Sequence, residues 1–219
     1  MQNRHPAFMI FFMMSIDKIK LTRGRPIGTS NPAYALSKTQ VRQLLGVCCG
    51  SLGLRNRAII ALGIHSGARI GTIAKLTCEQ VANKDGICKT SYVVQKRNEK
   101  SKRTNRYFIS RQGQTLVQDY LDSVNLNEGM PLFPSIKTGK FIQPSSIVRL
   151  VSSLFCRAGI EDNSSQALRK TYASTLYVHH GLGIMELSSL LNHSSLENTR
   201  KYIQGLQPNI ENAMKSLSY

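Results

Sequence analysis

Residues 164–204 read SSQALRKTYASTLYVHHGLGIMELSSLLNHSSLENTRKYIQ, and the reading of the whole chain turns on this stretch. It parses as three short helices, Ser165 to His180, Ile184 to Leu191 and Leu196 to Gln204. Three residues in it stand out: Arg169 within Ala-Leu-Arg-Lys-Thr, His193 within Leu-Leu-Asn-His-Ser-Ser, and Tyr202, nine residues after that His. Each has an ordinary reading alone: a surface ion pair for the Arg, a helix cap or core position for the His, a half-buried helical side chain for the Tyr. Their order and spacing carry more than any one of them. The pair His179-His180 lacks that spacing and reads as an exposed helix end, where a His complements the helix dipole.

Working outward, Ser37 and Gln40 fit a capping box that opens a helix with Val41, Leu44 and Leu45 on one face. Gly50 to Gly53 breaks the chain, and Asn56 to Ile64 is a more apolar helix interrupted by Ser66-Gly67. Arg69 to Leu76 follows as a third short helix, with Ile70, Ile73 and Leu76 at core spacing. Asn83 to Gly86 is a turn. Ile87 to Val94 reads as a strand and Arg106 to Ser110 as its partner, with a very basic loop from Gln95 to Asn105 between them. Gln112 to Val124 is helical with Leu116, Val117, Tyr120 and Leu121 inward, and Asn125 to Gln143 is loop. Pro144 to Ala158 returns to helix on Ile147, Leu150, Val151 and Leu154, and Gly159 stops it. The expected fold class is α+β, mostly α, with one small antiparallel hairpin and no internal repeat.

Charge narrows the partner. The chain holds 29 Lys and Arg against 12 Asp and Glu, a net charge of +17 with an isoelectric point near 10.0, which points to a polyanion and by default to nucleic acid. A membrane-surface role would need a basic amphipathic helix with a lipid-facing side, and the body of the sequence offers none. The apolar run Ala7 to Met14 is eight residues long, against about 20 for a span, and no small-residue cleavage site follows it. An over-long start, with the chain beginning near Met13 or Met14, accounts for it. Ile19 to Pro32 is a polar, basic arm. Its Arg23-Gly24-Arg25-Pro26 resembles the core of an AT-hook, which makes Arg23 and Arg25 candidate minor-groove or phosphate contacts; a solvated basic linker is the plainer reading. The five cysteines form no C-x-x-C pair and no zinc spacing, and read as reduced, mostly buried thiols of a cytoplasmic protein.

The order Arg169, His193, Tyr202 resembles the C-terminal signature of the tyrosine recombinases, the family of phage integrases, dimer resolvases and DNA invertases. The family pattern is roughly H-x-L-R-[HK]-T, then L-G-H-S-S, then a Tyr nine residues past the His. An upstream arginine block, T-G-x-R-x-S-E, is matched by Ser66-Gly67-Ala68-Arg69-Ile70. The resemblance spans roughly Ser37 to the C-terminus. It implies a site-specific DNA recombinase that cleaves and rejoins DNA through a 3′-phosphotyrosyl link, with Tyr202 as nucleophile and no cofactor or metal. The residues suit that route: there is no acidic cluster for Mg²⁺ and no Gly-rich phosphate loop, whereas two guanidiniums can fork the phosphate oxygens. By resemblance Arg69 and Arg169 bind the phosphate, His193 hydrogen-bonds to it, and a hairpin lysine acts as general acid. Lys96, Lys100 and Lys102 are the candidates; counting back from Arg106 favours Lys100, then Lys102. Lys96, Arg97, Lys102, Arg103 and Lys170 are further candidate DNA contacts.

Three departures qualify the match. Gln166 stands where the first His is usual, and Gln can exchange hydrogen bonds but not transfer a proton. Asn192 stands where Gly is usual, and Thr72 where a supporting Glu is usual. The chain also resembles compact, single-domain members such as the fimbrial-switch invertases, without the large N-terminal clamp. The expected organisation is a flexible basic arm over 1–36, a catalytic domain over 37–207, and a C-terminal helix over 208–219. The stripe Ile210, Ala213, Met214 and Leu217 on that helix would dock on a neighbouring protomer. Expected partners are double-stranded DNA, a homotetramer on two recombination sites and accessory DNA-bending proteins. The competing expectation is a catalytically weakened DNA-binding protein of the same fold.

Overall fold

The computed structural model describes residues 33–95, 104–125 and 129–203. Helix α1 (Lys38–Gly46) opens on the expected box: the Ser37 side chain accepts from Gln40 N–H, and Gln40 accepts from Ser37 N–H. Helix α2 (Gly53–Ser66) is the centre of the body. Ala58, Ile59, Ile60, Ala61, Leu62 and Ile64 are all buried, so neighbours cover its middle turns on all sides, while Leu54 in its first turn is exposed. It starts at Gly53, earlier than the expected Asn56, so the break falls at Gly50, whose φ is 77°. Short helices α3 (Ile70–Ile73) and α4 (Cys78–Val81) follow. The first is shorter than the expected span from Arg69 to Leu76, and the second was not expected at all.

Strands β1 (Ser91–Gln95) and β2 (Thr104–Phe108) pair antiparallel, with Tyr92 opposite Tyr107 and Gln95 opposite Thr104. Both strands lie off the expected spans for identifiable reasons. Cys88 is drawn away from the hairpin: it bridges to Ala82, and its N–H donates to the Gln118 side chain. Ser110 is needed as the cap of the next helix, where its side chain accepts from Gly113 N–H. That helix, α5 (Arg111–Leu121), buries Val117 and Tyr120 against α2. Helix α6 (Pro144–Arg157) buries Ile147, Val151 and Leu154, and Gly159 takes φ 67° at its end.

Helix α7 (Gln166–Ser174) crosses α2 closely: a Cβ placed on Gly63 would come within 2.8 Å of Leu168. The single helix expected from Ser165 to His180 changes pitch at Thr175 and continues as one π turn to His179. Helices α8 (Ile184–Leu190) and α9 (Leu196–Ile203) complete the described chain. A main core runs through α1 to α7, and a second, small one joins Tyr172, Ala173, Leu187, Leu191 and Ile203.

The body reaches further back than the boundary expected at residues 36 and 37. The compact unit begins at Pro32; Ala33 and Leu36 are buried in the main core, and Leu36 N–H donates to Thr171 Oγ1 at 2.8 Å. These apolar side chains have a partner in the body, which the arm-like composition upstream concealed. The arm residues Arg23 and Arg25, the hairpin residues Lys96, Arg97, Lys100, Lys102 and Arg103, and the helix expected from Pro208 lie outside the described residues.

Candidate active site

Helix α2 ends where Gly67 adopts φ 65°, a left-handed turn. Space as well as φ requires glycine there, because a Cβ would lie 2.5 Å from Cδ1 of Tyr172. The turn is backed by Ser66, whose Oγ donates to the Leu62 carbonyl and lies 3.0 Å from the Tyr92 hydroxyl. Tyr92 stacks on Tyr107 at 5.2 Å, so the foot of the hairpin is packed behind the turn. After the turn Arg69 sits extended at the N-cap of α3, and its side chain is exposed.

Arg169 projects from α7 and is only 4% exposed. Its Nη1 donates to the Gly67 carbonyl and its Nη2 to the Leu191 carbonyl, while Nε is buried without a partner. Burial first, then the neighbouring positive charge of Arg69, brings its pKa down to about 10, and Tyr202 beside it acts the other way. It stays charged at neutral pH. The two guanidiniums thus lie near enough to repel each other, and among the described residues no Asp or Glu lines the cleft they share. An anion is the ligand that such a site lacks.

His193 follows Asn192, whose φ of 49° turns the chain out of α8. That conformation explains the departure from Gly: Asn is among the few side chains that tolerate it, and here its Nδ2 also donates to the Arg106 carbonyl on β2 at 3.2 Å. Nδ1 of His193 lies 2.9 Å from Oγ1 of Thr199. Burial, then Arg169 and Arg69, pushes the imidazole down to about 4, so it is neutral at physiological pH. Its ring meets Tyr202 edge-on, with centroids 5.3 Å apart. Tyr202, on α9, is half-buried, and the Lys170 ammonium stands 5.8 Å from its ring centre.

One cleft of about 530 Å³ gathers Arg69, Gln166, Arg169, His193 and Tyr202, together with Ala68, Ile70, Ser165 and Asn198. Five of the six expected catalytic positions therefore line one cavity although they come from four separate stretches of chain. The sixth, Lys100, lies outside the described residues, between Gln95 and Thr104, which pair as the last partners of the two strands. Lys170 lies at Tyr202, on the rim of this site. Ser165, Asn198 and Thr199 escaped the reading of the sequence. Asn198 and Thr199 precede Tyr202 by four and three residues, so helical spacing puts them on its face, but nothing in their type distinguishes them from surface or core residues.

The family model described as "Phage integrase family" matches residues 35–207. "Probable integrase/recombinase YoeC" of Bacillus subtilis (strain 168) is 30% identical over 149 residues, covering 68% of this chain and 77% of that protein. "Tyrosine recombinase XerC" of Syntrophus aciditrophicus (strain SB) is 26% identical over 157 residues, covering 68% of this chain and 49% of its own length. The chain thus spans about half the length of the XerC relative. Among solved structures, the crystal structure of XerA recombinase superposes with a TM-score of 0.68 at 22% identity, over 86% of this chain and 66% of that one. The XerH site-specific recombinase bound to palindromic difH substrate, in a post-cleavage complex, gives 0.63 at 18% identity, over 85% of this chain and 54% of that one. At these identities the structural likeness speaks to the fold: it is the tyrosine-recombinase catalytic fold.

Proposed function

The chain belongs to the phage integrase family, and from that premise we propose that it is a site-specific DNA recombinase working through a covalent tyrosine intermediate. In this reading Tyr202 Oη gives up its proton to solvent water and attacks the scissile phosphorus, the bond from phosphorus to the 5′ oxygen breaks, and a 3′-phosphotyrosyl bond forms. The leaving 5′ oxygen takes a proton from a hairpin lysine, Lys100 first. Arg69 and Arg169 neutralise the non-bridging oxygens, while His193 and Gln166 offer hydrogen bonds to them. The phosphodiester energy is kept in the new bond, so rejoining is the reverse attack by a 5′ hydroxyl and needs no ATP.

The observation that carries the reading is the convergence of Arg69, Gln166, Arg169, His193 and Tyr202 on one cleft that no Asp or Glu among the described residues lines. Duplex DNA is the proposed substrate, bound through the positive surface, with a tetramer on two sites as the working assembly and accessory DNA-bending proteins as further partners. The arm upstream of residue 32 adds phosphate contacts, and the segment over 208–219 docks on a neighbouring protomer. Among the described residues no helix is long and apolar enough to cross a membrane.

A nicked suicide substrate tests the chemistry, with an SDS-resistant adduct as the readout. Tyr202→Phe removes one hydroxyl, so DNA affinity stays nearly unchanged and the adduct disappears; an adduct that persists refutes the nucleophile. A second reading, a DNA-binding protein with weakened chemistry, draws on Gln166 in the cleft at the usual His position. Gln166→His then raises the adduct rate if the cleft is intact, whereas wild-type protein that binds DNA and forms no adduct supports the second reading.

A further inference from the structure

His193 has two ring nitrogens, and the reaction can use only one of them at a time. Nδ1 is taken: it lies 2.9 Å from Oγ1 of Thr199, three residues before Tyr202 on the same helix. Thr199 is 0% exposed, a polar side chain fully enclosed beside the cleft. A buried hydroxyl stays only where it has a partner, and this one has the imidazole. Nε2 is therefore the ring atom left for a ligand, and His193 lines the cleft.

A hydroxyl both donates and accepts, so the 2.9 Å contact alone does not say which atom holds the proton. The rest of the cleft decides it. Two guanidiniums face the same space and, among the described residues, no carboxylate does, so its ligand is an anion, which accepts hydrogen bonds and cannot donate them. A neutral ring has one N–H, and it serves an anion only if that N–H is at Nε2. Nδ1 must then be the acceptor, and Thr199 must be the donor.

We propose that Thr199 is a positioning residue for His193: its hydroxyl donates to Nδ1, holds the imidazole as the Nε2–H tautomer, and aims that N–H at the phosphate in the cleft. This rests on the recombinase reading above. The same contact couples two functional side chains, because Thr199 and Tyr202 share α9. A shift of that helix moves the nucleophile and the His tether together. Oγ1 supplies the tether; the γ-methyl only fills space. A substitution that keeps the methyl volume but loses the oxygen therefore separates the two roles.

The test compares Thr199→Val, which keeps the shape, with Thr199→Ser, which keeps the hydroxyl. Two-dimensional NMR of isotope-labelled histidine side chains reads the tautomer, and loss of one signal set in His193→Gln assigns it among the five histidines. The expected result is the Nε2–H tautomer in the wild type and in Thr199→Ser, and a mixture of tautomers in Thr199→Val. Adduct formation on the suicide substrate should fall roughly 10–100-fold in Thr199→Val at unchanged DNA affinity and recover most of its rate in Thr199→Ser. An Nδ1–H tautomer in the wild type, or an unchanged one in Thr199→Val, overturns the proposal. So does a Ser variant as slow as the Val variant, which would assign the residue to packing alone. The tautomer is read without DNA, so a wild-type chain that fails to cleave refutes the recombinase reading and leaves the hydrogen bond to be judged separately.

Discussion

The main core and the small C-terminal core are built to different scales. The main one runs from Ala33 to Leu168 and holds the turn that presents Arg69 and the foot of the hairpin. The small one joins Tyr172, Ala173, Leu187, Leu191 and Ile203, with Tyr202 packed against it. The candidate nucleophile therefore rests on a few side chains, while the Arg69 turn rests on most of the protein. The cleft is the seam between them. Three contacts join the elements around it: Arg169, which donates to Gly67 on one side and Leu191 on the other; the close approach of Gly67 to the Tyr172 ring; and Asn192, which reaches Arg106 on β2. The difference teaches that a side chain proposed to bind phosphate can double as the main structural link across the site.

Breaking that link should have the largest effect. Arg169→Ala leaves two buried carbonyls without their donor, at about 1–3 kcal/mol each, and removes a proposed phosphate ligand. We expect a clear fall in urea midpoint together with loss of adduct. Arg69→Ala, at an exposed position, should change stability by less than about 0.5 kcal/mol while lowering the adduct rate by roughly 100-fold or more. Equal stability of the two variants would break the comparison.

Gly67→Ala comes next. The new Cβ meets Tyr172 at 2.5 Å and must hold φ 65°, so the ring of the small core has to move. About 2 kcal/mol or more of stability should be lost, with a smaller adduct yield, as read by thermal melting and the suicide substrate. A melting temperature equal to that of the wild type would show that the two cores have slack between them.

Acid should act on the same seam more weakly. His193 is held at about 4 in the folded chain against an ordinary 6.5, so the unfolded chain binds the extra proton first. Its contribution is present above about 6.5 and is lost as pH falls toward 4, where a charged ring would face Arg169 and Arg69. The midpoint of urea unfolding should decline through that window, and His193→Gln should flatten the decline. An equal slope in the variant would place the acid sensitivity elsewhere, with His65, also lowered by burial, as the first alternative.

The smallest effect belongs to Asn192. Asn192→Gly keeps the left-handed φ and gives up the Nδ2 hydrogen bonds to the Arg106 and Leu190 carbonyls, so stability should stay within about 1 kcal/mol. Asn192→Ala loses the same bonds and puts an ordinary side chain at φ 49°, and should cost about 1–2 kcal/mol. Ala as stable as Gly in a denaturant titration would mean that the turn after α8 is not what positions His193.

Much of this was legible beforehand, and the reasons are local. Ser37 and Gln40 announced a helix start because a capping box is closed within four residues. The stop at Gly159 needed only a φ that glycine supplies. The strands were misplaced by a few residues because their ends are decided by distant partners: Gln118 for Cys88, and His65, whose carbonyl accepts from Ser110 N–H. Helix α4 is a single turn and too short to leave a periodic signature, and Ala33 and Leu36 looked like part of a linker until Thr171 and the core claimed them.

By itself the sequence determined which residue types are present and at what spacing: two arginines, a His and a Tyr at intervals that helical geometry can turn toward one another, on a chain of charge +17. Asn192 illustrates the limit. In sequence it is a mismatch to glycine; in three dimensions it is a left-handed residue that also donates to β2. Only the tertiary structure decided that Arg169 is buried across the seam, that the imidazole of His193 is neutral, and that Thr199 occupies its Nδ1. Each of these depends on desolvation or on contact between residues far apart in the chain or on different turns, and spacing along a sequence does not encode burial.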